Sequence, residues 1–302
     1  MFEFNETLPQ ARARNIRDAL LEDIGQADWT ALLLDAQTQA EAHLRVREVA
    51  VLCGTAWFEG CVLALDPNAR IEWFAQEGDT LKADSIVCRV QAKARALLTA
   101  ERSAMNFLQL LSATATVTRR YVDSIAHVQT GAGQCLIMDT RKTIPGLRQA
   151  QKYAVRVGGG SNQRLALWDG ILIKENHIMA AGGIAQALQR ARALNANVSI
   201  QIEVENLQEL DQALNAGADN ILIDNFSIDD MRKAVRATRG KAVVEASGGI
   251  RMETVQQIAA TGVDRISIGS LTKDIQAVDY SLRVTARNGE RIVGADTGQA
   301  CG

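Results

Sequence analysis

Four cations cluster in one part of the chain. Arg141 and Lys142 follow the apolar run Cys135-Leu136-Ile137-Met138, Arg164 follows Gln163 after a triple glycine, and Lys174 ends the run Ile171-Leu172-Ile173. Arginine grips a planar carboxylate through two parallel N–H groups, while lysine supplies a point charge. A lone surface cation is normally solvated. Cations placed directly after two buried strands are harder to set aside, and together they suit a ligand with several negative charges. Two carboxylates, Glu203 and Asp224, end later apolar runs. Such a pair fits Mg²⁺, which takes a few carboxylate ligands and completes its shell with water and phosphate oxygens. It fits equally well ribose hydroxyls, a cationic transition state, or a salt bridge to Lys142 or Lys174. Two glycine-serine turns come last, Ser247-Gly248-Gly249 and Gly269-Ser270. Glycine lets backbone N–H groups approach a phosphate closely, and a helix N-terminus adds a favourable dipole. His177, at the start of a helical stretch, reads as a local cap, and Gly158-Gly159-Gly160 as a flexible loop.

The elements that position these residues follow from the hydrophobic rhythm. Short apolar runs at 135–138, 171–173, 198–204, 220–223, 242–244 and 265–268 alternate with helical segments at 181–194, 206–216, 228–239 and 252–261. Alternating strands and helices with short connections mean a parallel sheet covered by helices, here a barrel, complete or open. In such a barrel the residues just past each strand converge on one face. Their order along the chain is basic, basic, acidic, acidic, then two glycine-serine turns, and turns after the last two strands of a barrel are a recurrent phosphate site. Gly131-Ala132-Gly133 precedes its strand and lacks a third glycine, so it is no dinucleotide fingerprint.

The first third reads differently. A helix over 10–24 leads to short alternating runs between 42 and 90, a small and mainly antiparallel sheet with a helix around Trp57–Leu65. A long helix spans 95–128. On it Arg102, Asn106 and Gln109 share a face at i, i+4 and i+7, which by periodicity alone is a solvated face. The rhythm changes near 115–130, which predicts domains of 1–116 and 117–302. The polar tail, 285–302, either frays or returns to the first domain.

Composition excludes several classes. Lys plus Arg number 33 and Asp plus Glu 35, for a net charge of -2, so no global field favours nucleic acid or an anionic membrane. No apolar run nears the roughly 20 residues of a membrane helix, and the N-terminus lacks the pattern of an export signal. Five scattered cysteines form no C-x-x-C pair and only three histidines are present, which predicts reduced thiols, a cytoplasmic protein and no zinc site. From the residues alone, the expected site is a Mg²⁺-assisted one for a phosphorylated sugar and a second anion.

The same residues carry a resemblance. EDIG-x-x-D-x-T at 22–30, LLTAERSAMNFLQLLS at 97–112, DTRKTIPGLR at 139–148, KYAV-x-x-GGG at 152–160, LIKENHI at 172–178, EVEN at 203–206, LIDN at 222–225, EASGGI at 245–250 and IS-x-GSLT at 266–272 resemble the quinolinate phosphoribosyltransferases over nearly the whole chain. The resemblance implies an N-terminal α/β sandwich followed by an open α/β barrel, in a homodimer whose active sites are completed by the partner's N-terminal domain. It implies transfer of phosphoribose from phosphoribosyl pyrophosphate to quinolinate with Mg²⁺, releasing pyrophosphate and carbon dioxide. Arg102 would reach quinolinate from the neighbouring subunit. Arg141 and Arg164 would hold its carboxylates, Lys142 and Lys174 would add charge, and Glu203 and Asp224 would face ribose and Mg²⁺. Ser247, Gly248, Gly249, Gly269 and Ser270 would surround the 5-phosphate.

Three positions depart from the family pattern. Gln163 replaces the usual histidine, an uncharged donor that would keep the pocket's shape while weakening quinolinate binding. Ala27 and Ala113 replace glycines and should therefore avoid left-handed backbone. A paralogue associated with molybdenum transport and a non-catalytic binder of phosphorylated nucleotides are the alternatives. Retention of Arg102, Arg141, Lys142, Arg164 and Lys174 together argues against the paralogue, and only Gln163 favours the binder.

Overall fold

A computed structural model describes residues 5–130 and 133–291 of the chain, and the counts below are of those residues. The chain divides into two compact units, Met1–Thr116 with Pro145–Gly158 and Ile275–Gly302, and Val117–Ile144 with Gly159–Asp274. The division after Thr116 falls inside one long helix. The sequence-based second domain, 117–302, differs from this at two places, since 145–158 and 275–302 group with the first unit.

The first unit begins with α1 (Leu8–Ile24), stopped by Gly25. A five-stranded antiparallel sheet follows in the order β15-β14-β1-β5-β3, made of β1 (Gln39–Val46), β3 (Arg70–Trp73), β5 (Ile86–Lys93), β14 (Tyr280–Arg287) and β15 (Glu290–Arg291). The two-residue strands β2 (Ala50–Val51) and β4 (Thr80–Leu81) pair beside α2 (Thr55–Leu65). In β1 the side chains alternate between buried and half-exposed, as expected of a strand with one face on a core. The tail question is resolved as far as Arg291. β14 runs antiparallel to β1 from Ala40↔Arg287 to Val46↔Tyr280, so this part returns to the first unit, while 292–302, with Cys301, lies outside the described residues.

The segment 145–158 belongs with the first unit for a local reason. Arg14 Nη2 and Asn15 Nδ2 of α1 donate to the Gly146 carbonyl at 3.2 and 3.0 Å, and Gln149 donates to the Glu6 carbonyl at 2.6 Å. Ala150 and Ala154 of α4 (Arg148–Val157) are buried in that unit's core with Trp57, Phe58, Leu97 and Leu108. The motif at 22–30 is a clamp of the same kind. Asp28 accepts from the Ala31 amide at 2.9 Å and from Thr99 Oγ1 at 2.8 Å, which ties the loop to α3 (Ala94–Ile125). Ala27 and Ala113 both avoid positive φ, as expected of alanine there.

In the second unit, β6 (Gln129–Thr130) and β7 (Gly133–Gln134) form a small hairpin ahead of β8 (Leu136–Met138). β9 (Gly170–Ile173), β10 (Ser199–Val204), β11 (Asn220–Asp224), β12 (Val243–Ser247) and β13 (Arg265–Ser267) complete a parallel sheet in the order β8-β13-β12-β11-β10-β9. The first strand pairs with the last, and β8 and β9, consecutive in the chain, form the two edges. This is the expected barrel, open between its first two strands. Helices α5 (Glu175–Ala181), α6 (Ile184–Ala193), α7 (Leu207–Asn215), α8 (Ile228–Thr238), α9 (Met252–Ala259) and α10 (Ser270–Lys273) follow the strands. The helix expected over 181–194 is α6, which starts three residues later because Gly182 and Gly183, with φ values of 91° and 135°, separate it from α5. Asn206 caps α7 and Ser227 caps α8 through side-chain acceptors. Among the described residues no helix is long and apolar enough to cross a membrane.

Candidate active site

Strand alternation decides which side chains can share a site. In β10 to β13, Ile202, Val204, Ile221, Ile223, Val244, Ala246 and Ile266 pack into a cluster with apolar side chains of the helices. The opposite parity carries Gln201, Glu203, Leu222, Asp224, Glu245, Ser247 and Ser267, which therefore share the other face. Register aligns them, with Glu203 beside Leu222, Leu222 beside Glu245, and Asp224 beside Ser247.

The cationic wall is assembled around a buried carboxylate. Asp139, fully buried at the end of β8, accepts from Asn162 Nδ2 at 2.6 Å and from the Gln163 amide at 2.9 Å. Ser161 bridges to Met138, its N–H donating to the Ile137 carbonyl at 2.8 Å. The segment after the triple glycine is thus pinned to β8, and Arg164 comes close to Arg141. Burial, and then the Arg141 charge, hold the Arg164 guanidinium below its usual range. Arg164 Nη1 donates to the Gly170 carbonyl at 2.9 Å. The Nε atoms of both arginines are buried, and no acceptor among the described residues reaches either. A buried donor without a partner costs about 1–3 kcal/mol, more when charged, and an anion placed here would supply the acceptors both arginines lack.

Lys142 joins this wall to the last glycine-serine turn. Its carbonyl accepts from Thr272 Oγ1 at 2.8 Å, and a Cβ added at Gly269 would lie 3.1 Å from Lys142 Cδ and 3.9 Å from Nζ. The lysine stem therefore lies over Gly269, just before Ser270 opens α10. At the other turn Gly248 has φ +98°, and a Cβ there would fall 2.1 Å from Asn225 Oδ1. Gly249 has φ +60° with nothing within 4 Å of an added Cβ. The first glycine is demanded by packing and backbone, while the second leaves its backbone open to a ligand.

On the acidic side, Lys174 Nζ pairs with Glu203 Oε2 at 2.5 Å, one of the open possibilities from sequence. His177 Nδ1 accepts from the Lys174 amide at 3.0 Å and caps α5. Asp224 Oδ2 accepts from Asn225 Nδ2 at 2.8 Å. Glu175, Glu203, Glu205 and Glu209 line a cavity of about 290 Å³. The Glu205 carboxyl is pushed up, chiefly by Glu175, with Glu209, Asp224 and Glu203 also contributing. Among the described residues no group of three or more His, Cys, Asp or Glu forms a metal cage. Mg²⁺ commonly takes only one or two protein carboxylates, and Glu203 and Asp224, on neighbouring strands and one face, fit that modest demand. In the first unit, Arg102 and Asn106 are exposed on α3, and Gln109 is half-buried.

Two family models match the chain, described as the N-terminal domain of quinolinate phosphoribosyl transferase over residues 28–112 and its C-terminal domain over 114–283. The chain belongs to the quinolinate phosphoribosyltransferase family. Among its relatives is the probable carboxylating nicotinate-nucleotide pyrophosphorylase of Bacillus subtilis, 39% identical over 89% of this chain and 91% of that protein. The corresponding Mycobacterium leprae protein is 38% identical over 88% and 95%. The nicotinate-nucleotide pyrophosphorylase structure from Francisella tularensis superposes with a TM-score of 0.88 at 43% identity, covering 94% of this chain and 99% of that one.

In this chain one side chain is turned otherwise than expected. Sequence put Gln163 on a substrate carboxylate. Its Nε2 instead donates to Glu245 Oε1 at 3.1 Å and Gln201 Oε1 at 3.3 Å. Sequence reasoning assigns no role to Gln201 or Glu245. The available signal was their phase: each interrupts an apolar run two residues before Glu203 or Ser247, on the same face.

Proposed function

We propose that this protein joins quinolinate to phosphoribosyl pyrophosphate, giving nicotinate mononucleotide, pyrophosphate and carbon dioxide, the step by which quinolinate enters NAD synthesis. The observation that carries the reading is the Arg141–Arg164 pair, two adjacent guanidinium groups whose buried Nε donors lack acceptors among the described residues. A dicarboxylate supplies acceptors for both and offsets their mutual repulsion.

The 5-phosphate of the donor sits against the Ser247-Gly248-Gly249 and Gly269-Ser270 turns, with Lys142 above Gly269. The pyridine nitrogen attacks the anomeric carbon as the bond to pyrophosphate breaks, through an oxocarbenium-like state. Glu203 stabilises that cation electrostatically. Its ion pair with Lys174 involves a lysine side chain 48% exposed. The lysine end is open to solvent while Glu203 is 15% exposed, so Lys174 can turn to the departing pyrophosphate, which supplies it with new anionic partners. The electron pair of the C2–carboxylate bond then stays on C2, where the adjacent positive ring nitrogen stabilises it. Carbon dioxide leaves, and a proton replaces it at C2. Arg141, Arg164 and Lys142 hold the ring while charge develops there.

Glu203 and Asp224 would hold Mg²⁺, which supplies charge neutralisation on the pyrophosphate. Arg102 is assigned to the quinolinate of a second subunit in a homodimer. This rests on its exposure on α3 and on the family motif around it. We place the protein in the cytoplasm, in keeping with the free, buried Cys53, Cys61, Cys88 and Cys135.

The test is direct. Purified protein with quinolinate, phosphoribosyl pyrophosphate and Mg²⁺ should yield nicotinate mononucleotide. No product, with nicotinic acid serving no better, would refute the enzyme reading.

A further inference from the structure

Glu245 is a buried carboxylate that the chemistry above leaves unused. It is fully buried, and among the described residues no cation pairs with it. Its two oxygens instead accept from two amides, Oε1 from Gln163 Nε2 at 3.1 Å and Oε2 from Gln201 Nε2 at 2.9 Å. Gln201 Nε2 also reaches Asn220 Oδ1 at 3.2 Å. Removing a carboxylate from water without a cation is unfavourable unless hydrogen bonds compensate, and a hydrophobic side chain would fill the same space more cheaply.

Position suggests what the arrangement gains. Gln163 immediately precedes Arg164. Gln201 and Glu245 each lie one inward-facing step before Glu203 and Ser247 on their strands. One carboxylate thus ties the segment bearing the anion-gripping arginine to the two strands bearing the ribose-facing and phosphate-facing residues. We propose that Glu245 is a positioning residue, which by fixing the Gln163 amide sets Arg164 at a defined distance from the phosphoribose site and so governs quinolinate binding. This rests on the functional reading above. The carboxylate is required because both amides present N–H to it. A glutamine in its place would set an N–H against one of those N–H groups.

Steady-state kinetics separates this from a merely structural role. Glu245→Gln should raise the KM for quinolinate about tenfold, from one misdirected hydrogen bond to a charged group. The KM for phosphoribosyl pyrophosphate and kcat should stay within about twofold, because strand pairing holds Asp224 beside Ser247 without Glu245. The exchange of Glu245→Gln with Gln201→Glu moves the carboxylate from β12 across β11 to β10. There Gln163 Nε2 already lies 3.3 Å from the position-201 oxygen. That exchange should restore most of the lost quinolinate KM. Should Glu245→Gln fail to fold, Gln163→Leu removes the same contact from the other side and should show the same selective KM rise. An unchanged quinolinate KM in a folded variant, an equal rise in both KM values, or an exchange that rescues nothing would overturn the inference. An unmutated protein that makes no nicotinate mononucleotide would instead refute the functional reading.

Discussion

At the residue scale, the cations were legible because arginine and lysine directly after buried strands have few structural uses. Their pairing was not. The buried Asp139, which anchors both Asn162 and the Gln163 amide, and the Ser161 bridge to β8 bring Arg164 to Arg141. Glu245 escaped notice because a charge inside an apolar run looks the same in sequence as one at a strand end. Two predictions belong here. Arg164→Lys keeps the charge but loses the planar fork, and should raise the quinolinate KM about 10- to 100-fold, the value of a charge-assisted hydrogen bond, as measured by initial rates. Gln163→His gives Glu245 an ionisable donor in place of an amide. It should lower the quinolinate KM roughly threefold, since a protonated imidazole adds a second charge to a hydrogen bond that only the carboxylate now assists. An unchanged KM would show that position 163 does not set affinity.

At the element scale, the parallel strands were readable from apolar runs, and the helices between them from capping residues such as Asn206 and Ser227. The start of α6 is encoded in Gly182-Gly183, three residues past the position that periodicity alone indicates. The return of β14 to β1 could not be read, because hydrophobic periodicity carries no register between strands some 240 positions apart. Gly248→Ala tests the turn after β12. With φ at +98° and a Cβ 2.1 Å from Asn225 Oδ1, it should cost about 1–3 kcal/mol. Calorimetry should show a lower Tm, and kinetics a raised KM for phosphoribosyl pyrophosphate. Asp28 tests the loop clamp. The Ala31 amide and Thr99 hydroxyl hold its carboxyl below the usual range. Its contribution is then complete above the unfolded value of about 4 and is lost as pH falls through the lower folded value. Asp28→Asn should therefore lower Tm at pH 7, and the difference from the unmutated protein should shrink under acid.

At the scale of the whole molecule, the division after Thr116 was visible as a change of rhythm. The grouping of 145–158 and 275–302 with the first unit was not, since it depends on α1 donors meeting the Gly146 carbonyl 131 or more positions away. The proposed dimer makes its own prediction. Mixing an inactive Arg102→Ala variant with an inactive Lys142→Ala variant should recover part of the activity, because some mixed dimers would hold one intact site. No recovery would argue for self-contained subunits. The central claim, that a paired-arginine receptor takes a pyridine dicarboxylate and drives loss of one carboxyl group, is tested most directly by stoichiometry. With quinolinate labelled at its 2-carboxyl carbon, labelled carbon dioxide and pyrophosphate should appear in a one-to-one ratio, both dependent on phosphoribosyl pyrophosphate and both abolished in Arg141→Ala. Pyrophosphate released without labelled carbon dioxide, or equal turnover of nicotinic acid, would contradict it.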